Sequence, residues 1–462
     1  MTWRLFRALT LFAVIFHSYG FQLTLARIFR RTSRSEDGKK VVTLPPWLEA
    51  RRERVHVTNA RRLKDGMLRL RGVFIKLGQV LSLMGGFLPR AYGTELESLQ
   101  DQVPSHPFRE IDAVFRRTFG KRAKEVFASI EEVPIAAASL GQVHVARTHA
   151  GEKVAVKVLY PGIRDVIVVD MRVIGLAMRV YKKFMPIQGL DRARDALDDL
   201  LRRETDYEVE ATNMERMAAN FASEPDLLFP KVLRDLTTKD VLTMTFMEGV
   251  KITRTDAFAA MGVTPNAVAT LLVRSFYKSL FLDRFFHADP HPGNFLVQAG
   301  PTEGSPRIVV LDFGAICDVP PGLVDGLLEI LQAVMTNDGA RAVRGFRQMG
   351  FAGKDSDDAL IEKTVLTYFQ RLLKIEDRTA GALMRANSDE LRELVDPKLE
   401  REELRDLLRA FDYPEGWFYV ERGSVLMFWL CAQIDPTVDT VAVGMPYVVP
   451  LLAAKAMAGV TA

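Results

Sequence analysis

Cysteine is almost missing from this 462-residue chain, and its two cysteines, Cys317 and Cys431, stand far apart at no ligand spacing. A disulfide framework and a structural zinc site are therefore excluded, and a reducing compartment fits. Low-complexity tracts and internal repeats are absent too. Apolar residues at 48% and charged residues at 26% match an ordinary globular protein, with enough chain for two or three domain-sized units. Net charge is small, +4, but unevenly spread: residues 1–72 hold 16 Lys and Arg against 5 Asp and Glu, a net of +11, so the remainder sums to −7. Such a basic arm on a mildly acidic body suits an anionic surface. No DNA- or RNA-reading motif accompanies the charge, so nucleic acid is not an expected partner.

What is present begins with 19 uncharged residues, ALTLFAVIFHSYGFQLTLA, between Arg7 and Arg27, with Arg4, Arg30, Arg31 and Arg34 nearby. The length could just span a bilayer, although His17, Ser18 and Gln22 argue against a span, and no small-residue cleavage site is clear. The expectation is an interfacial or membrane-anchoring helix over 1–30, with a helix packed on the protein's own body as the alternative, followed by a basic linker over 31–57 containing Pro45–Pro46. Residues 58–84 carry Leu63, Met67, Leu70, Phe74, Leu77 and Leu81 at helical spacing, and a second helical stretch is expected near 90–120. Around 126–160 two short apolar runs joined at Gly151 predict an antiparallel hairpin. Helical patterning returns over 164–220, short strands are expected near 239–249, 295–298 and 307–314, and the chain reads as helical from about 320. The apolar end, VAVGMPYVVPLLAAKAMAGV, is broken by Pro446, Pro450 and Lys455 and is expected to pack as a terminal helix.

The strongest chemical signal is FFHADPHPGNFLV at 285–297 with VVLDFG at 309–314. Asp289 and Asn294 are five apart, and Asp312 follows 18 residues later, each beside a strand-like run. Phosphoryl transfer needs one aspartate near the nucleophile and two hard oxygen ligands for Mg²⁺ between phosphates. The competing view is two turn aspartates and a capping asparagine. Lys157, in VAVK, alternates with Val154, Val156 and Val158, as a lysine facing a nucleotide would, or as a solvent-facing strand lysine would. A kinase would set a glycine-rich loop just before it; here PIAAASLGQVHVA places Ala136, Ala137, Ala138 and Ser139 at the tip. Downstream, RRETDYEVEATN offers Glu204, Asp206, Glu208, Glu210 and Asn213. On one helix, Asp206, Glu210 and Asn213 would share a face, and Glu204 would be rotated by a third of a turn.

These stretches resemble the ABC1 family of atypical protein-kinase-like proteins, the group of UbiB and AarF. KLGQ at 76–79 is similar to its KxGQ motif, AAAS at 136–139 to its alanine-rich loop, ETDYEVEATN at 204–213 to its acidic helix, and HADPHPGN with DFG to its catalytic and metal loops. The resemblance covers roughly 58–455. It implies an α+β, protein-kinase-like two-lobe fold: an N-terminal helical extension over 58–125, a small β-rich N-lobe with a helical insertion over 126–250, and a mainly helical C-lobe over 251–462. It implies that Lys157 contacts the phosphates of ATP or ADP and pairs with Glu210, that Asp289 takes the catalytic position, and that Asn294 and Asp312 hold Mg²⁺. Lys76 and Gln79 would cover the active site and meet Glu204 and Asp206, and Met247 and Glu248 would read adenine through the backbone. No APE follows Asp312–Gly314, so the usual peptide platform is missing.

Three functions stay open on this reading. One is an ATP-binding phosphotransferase or ATPase at the cytoplasmic face of a bacterial-type membrane, supporting ubiquinone biosynthesis or lipid handling, with a lipid intermediate and quinone-biosynthesis enzymes as partners. The second is a conventional protein or small-molecule kinase, and the third a non-catalytic lipid-binding scaffold.

Overall fold

The structure, a computed structural model, describes residues 2–34, 40–83, 90–97, 105–184, 190–352, 414 and 416–460, with short pieces at 357–359, 361–362, 365 and 379–382. It divides into two compact units, Met1–Pro186 with Leu197–Thr205, and Ile187–Ala196 with Asp206–Ala462.

In the first unit, helix α1 (Thr2–Phe29) leads into a short hairpin, β1 (Arg31–Arg34) with β2 (Lys40–Thr43). Helix α2 (Pro46–Leu70) starts well inside the expected linker. Pro46 occupies its first turn, where a missing N–H costs nothing. Leu48, Ala60, Leu63, Met67 and Leu70 form its buried stripe. The apolar spacing continues past residue 70, but one helix does not. Arg71 and Gly72 both adopt left-handed φ, 57° and 58°, and turn the chain into α3 (Val73–Leu83). A side chain at Gly72 would be strained there. Helices α4 (Arg90–Glu97), α5 (Phe108–Phe119) and α6 (Ala123–Val126) follow.

The strands of this unit are β3 (Ser129–Ile130), β4 (Ala136–Ala137), β5 (Gly141–Arg147) and β6 (Lys153–Leu159). The predicted hairpin is β5 against β6, antiparallel, with Val143 opposite Lys157; β3 and β4 both pair with β5. Helix α7 (Ile163–Phe184) and the last turns of α8 (Leu190–Glu204) complete it.

The second unit opens with α9 (Tyr207–Asn220). The acidic segment is therefore two helices: α8 ends at Glu204, Thr205 intervenes, and Asp206 caps α9 by accepting from the Glu208 amide at 3.1 Å. Strands β7 (Leu227–Leu228), β8 (Val241–Thr245) and β9 (Val250–Lys251) precede α10 (Pro265–Tyr277). Then come β10 (Phe285–His287), β11 (Phe295–Ala299), β12 (Pro306–Val310) and β13 (Ile316–Asp318). The pairs β10–β13 and β11–β12 are antiparallel. Helices α11 (Pro321–Thr336), α12 (Gly339–Met349), α13 (Trp417–Ile434) and α14 (Thr440–Val460) form the rest. The terminal α14 packs on α11: Gln332 donates to the Leu452 carbonyl at 2.8 Å, and Lys455 reaches Glu329 at 3.1 Å.

Candidate active site

Lys157 sits mid-strand in β6 between valines of no exposure, Val156 and Val158, and is itself half-buried. The alanine tip is a strand as well as a turn: Ala136 faces Val143 and Ala137 faces Gln142, while the Ala138 amide donates to the Gly141 carbonyl at 2.8 Å. Gln142 fixes this turn from below. Wholly buried, it accepts from the His106 amide at 2.8 Å and donates to the His106 carbonyl at 3.2 Å and to His144 Nε2 at 2.9 Å. His144 Nδ1 lies 2.7 Å from the Glu131 carbonyl, which can only accept. Its proton is therefore on Nδ1, and burial holds the ring's pKa below the ordinary value despite that carbonyl.

In the same unit Lys76, on α3, is buried and meets Glu204 at the end of α8 at 2.5 Å. Both side chains are nearly enclosed, with exposures of 8% and 13%. Gln79 belongs to α3, and its side chain lies outside the described residues.

In the second unit the loops after β10 and β12 interlock. The Asp289 carbonyl accepts from Asn294 Nδ2 at 3.0 Å and from the His291 amide at 2.7 Å. The Asn294 carbonyl in turn accepts from the Leu311 amide at 2.9 Å. Because Phe295 registers with Val310, this bond brings Asn294 beside the strand end that carries Asp312. Asp312 Oδ1 accepts from the Gly314 amide at 2.9 Å, an Asx turn that shapes the DFG corner. Asn294 Oδ1 and the Asp312 carboxylate are hard oxygens, a donor set that fits Mg²⁺.

Helix α9 holds that corner from one side. Glu210, only 1% exposed, accepts from the Phe313 amide at 3.3 Å. Asn213, nearly one turn later, donates to the Phe313 carbonyl at 3.2 Å. The two thus grip both backbone polar groups of Phe313. Asp206, at the cap of the same helix, lies 3.7 Å from Lys239. Met247 and Glu248 follow β8; Met247 is half-buried, and the exposed Glu248 accepts at its carbonyl from Gln298 at 2.6 Å.

One partner was not anticipated. Arg422, buried in the apolar helix α13, contacts Asp289 at 2.8 Å. The next residue makes this approach possible: a Cβ on Gly423 would lie 2.6 Å from the Phe286 ring and 3.2 Å from the His287 carbonyl. The only sequence signal was a lone arginine beside a glycine in FYVERGSVLMFWL. Such a charge is rarely left in an apolar run without a buried partner.

Residues 98–345 match the ABC1 atypical kinase-like domain, more than half of the chain. The chain belongs to the ABC1 family. Over 85% of its length it is 30% identical to the chloroplastic protein Activity of BC1 Complex Kinase 8 of Arabidopsis thaliana, spanning 54% of that protein. Over 58% of its length it is 36% identical to AarF domain-containing protein kinase 1 of Xenopus tropicalis, spanning 51% of it. This ABC1 chain therefore spans about half the length of these curated relatives. A solved structure of Rv3197 from Mycobacterium tuberculosis, in complex with erythromycin, shares the fold at 23% identity, with a TM-score of 0.54 over 86% of this chain and 94% of that one. The α+β, kinase-like fold expected of the ABC1 sequence is thereby borne out.

Proposed function

We propose that the protein is an Mg-ATP-dependent phosphotransferase or ATPase that works at a membrane surface in isoprenoid-quinone biosynthesis or lipid handling. The observation that carries the reading is the run of bonds from Asp289 to Asn294 and from Asn294 to Leu311, which sets both beside Asp312 through the β11–β12 register, with Phe313 held by Glu210 and Asn213. Preorganised charge of this kind is what phosphoryl transfer requires of a protein. Asp289 orients the acceptor, be it an alcohol or water, and Arg422 keeps that carboxylate in place. Asn294 and Asp312 would hold Mg²⁺, which would supply neutralising charge for phosphate chemistry. Lys157 takes the α/β phosphates, with Glu210 as its partner, and Ala136–Ser139 line them. Met247 and Glu248 meet adenine, while Lys76 and Gln79 cover the cleft with Glu204 and Asp206.

The test is nucleotide-dependent stabilisation and phosphate release. Mg-ATP should raise the melting temperature, and Asp312→Asn should lose phosphate release at least a hundredfold. No stabilisation of the wild type by Mg-ATP or Mg-ADP would refute the reading, and full cellular activity of Asp312→Asn would favour the scaffold.

A further inference from the structure

Helix α1 is apolar on much of its outer side and still sends four polar side chains, Arg4, Ser18, Tyr19 and Gln22, into the first unit. Arg4 pairs with Asp170 of α7 at 2.5 Å, where the aspartate has no exposure, and also bonds the Leu70 and Arg71 carbonyls at the end of α2. Tyr19 lies 2.9 Å from both His56 and Tyr92, Ser18 accepts from Asn59 at 2.5 Å, and Gln22 donates to the Leu48 carbonyl at 3.2 Å. Ala8 and Ile15 are buried on the inner side, but the large apolar residues Trp3, Phe6, Val14, Phe21 and Ile28 face out, 63%, 60%, 45%, 52% and 65% exposed, and Trp47 of α2 is 49% exposed beside Phe29. A surface helix in water does not leave so many large apolar side chains uncovered.

We propose that α1 lies in the plane of an anionic lipid bilayer as a built-in part of the first unit, and does not cross it. This deepens the membrane-surface reading above and rests on it. The helix is long and apolar enough to span. Leaving the body to do so, however, would strip Arg4 from a buried carboxylate and break the polar contacts along its inner side. Staying in place, it presents large apolar side chains at the depth where tryptophan and phenylalanine partition, ringed by the exposed Arg7, Arg27 and Arg30. That charge selects anionic headgroups as the occupant over a second copy of the same basic face.

The experiment is vesicle co-sedimentation of the full chain with phosphatidylglycerol–phosphatidylcholine mixtures or with phosphatidylcholine alone. The wild type should bind the anionic vesicles, and Phe6→Glu/Phe21→Glu/Ile28→Glu should weaken this at least tenfold with an unchanged melting temperature. Met335→Glu, at a 69% exposed apolar residue of the second unit, should bind as the wild type does. In a Trp417→Phe/Trp429→Phe background, lipids brominated near the headgroup should quench Trp3 and Trp47 more than lipids brominated at the chain ends. Binding that the triple variant leaves intact, or deeper quenching of Trp3, would overturn the in-plane helix. So would a dimer that the triple variant dissociates without loss of vesicle binding. If the wild type binds no vesicle, the membrane part of the proposed function falls too, whereas failure of nucleotide binding leaves this result standing.

Discussion

Lys76 and Glu204 meet at 2.5 Å in the interior of the first unit, joining the KLGQ helix to the end of α8. Removing one partner from such a pair leaves an uncompensated charge out of water, at a cost of about 3–5 kcal/mol. Lys76→Ala and Glu204→Ala should each lower stability by about that amount. The double variant should recover part of it, with a coupling of about 1–3 kcal/mol in denaturant titrations. Strictly additive losses would mean that the contact is incidental. If Lys76 also covers the active site, as the resemblance implies, Lys76→Ala should switch on phosphorylation.

Asn213→Ala should free one side of the Phe313 peptide while leaving the fold intact. The expected sign is faster amide exchange over 312–315, with a loss of about 1–2 kcal/mol for the orphaned carbonyl. Glu210→Gln keeps a carbonyl oxygen for the Phe313 amide and should exchange more slowly than Glu210→Ala. Equal exchange in all three would show that α9 does not hold the DFG corner.

Arg422→Met removes the buried partner of Asp289 at little change in volume. Phosphate release should drop at least tenfold, because Asp289 loses its orientation. Arg422→Lys should recover only part of the rate, since an ammonium lacks the planar fork of arginine. An unaltered rate in Arg422→Met would remove the residue from the mechanism.

Ala137→Gly loosens the tip that β4 holds against Gln142. The backbone then reaches conformations closed to alanine, and the ratio of ATP to ADP affinity should change severalfold. Identical affinities by calorimetry would show that the alanines are passive.

His144 gives the fold an acid sensitivity of known sign. Its folded pKa lies below the unfolded value because burial penalises the imidazolium. Below the ordinary histidine pKa, the unfolded chain takes up a proton that the folded chain refuses, so stability falls as pH falls through that window. The slope from this residue is at most about 1.4 kcal/mol per pH unit. His144→Gln should flatten the stability profile as pH falls below about 6.5. His56, also lowered by burial, accounts for part of what remains.

Local patterns in the sequence were readable where chemistry and geometry share a few residues. HADPHPGN and DFG flank strands that alternate as expected, and β11 and β12 lie close to where those runs were placed. The breaks at Arg71–Gly72 and Thr205–Asp206 were hidden because a one- or two-residue kink barely disturbs a 3.6-residue periodicity. The assignment of Glu204 and Asp206 to one helix failed for that reason. Arg422 was hidden for another: an ion pair between distant segments leaves no local spacing to read. The outward apolar stripe of α1 was likewise ambiguous, since hydropathy reports how much of a helix is apolar and not which way it faces.

The position of α13 bears on where this protein can be cut. The region matching the kinase-like domain ends at residue 345, yet the counter-charge for Asp289 comes from residue 422, pressed against the β10 strand where Gly423 leaves no room for a side chain. A fragment trimmed to the recognisable domain would keep HADPHPGN and DFG and lose the wall behind its reactive loop.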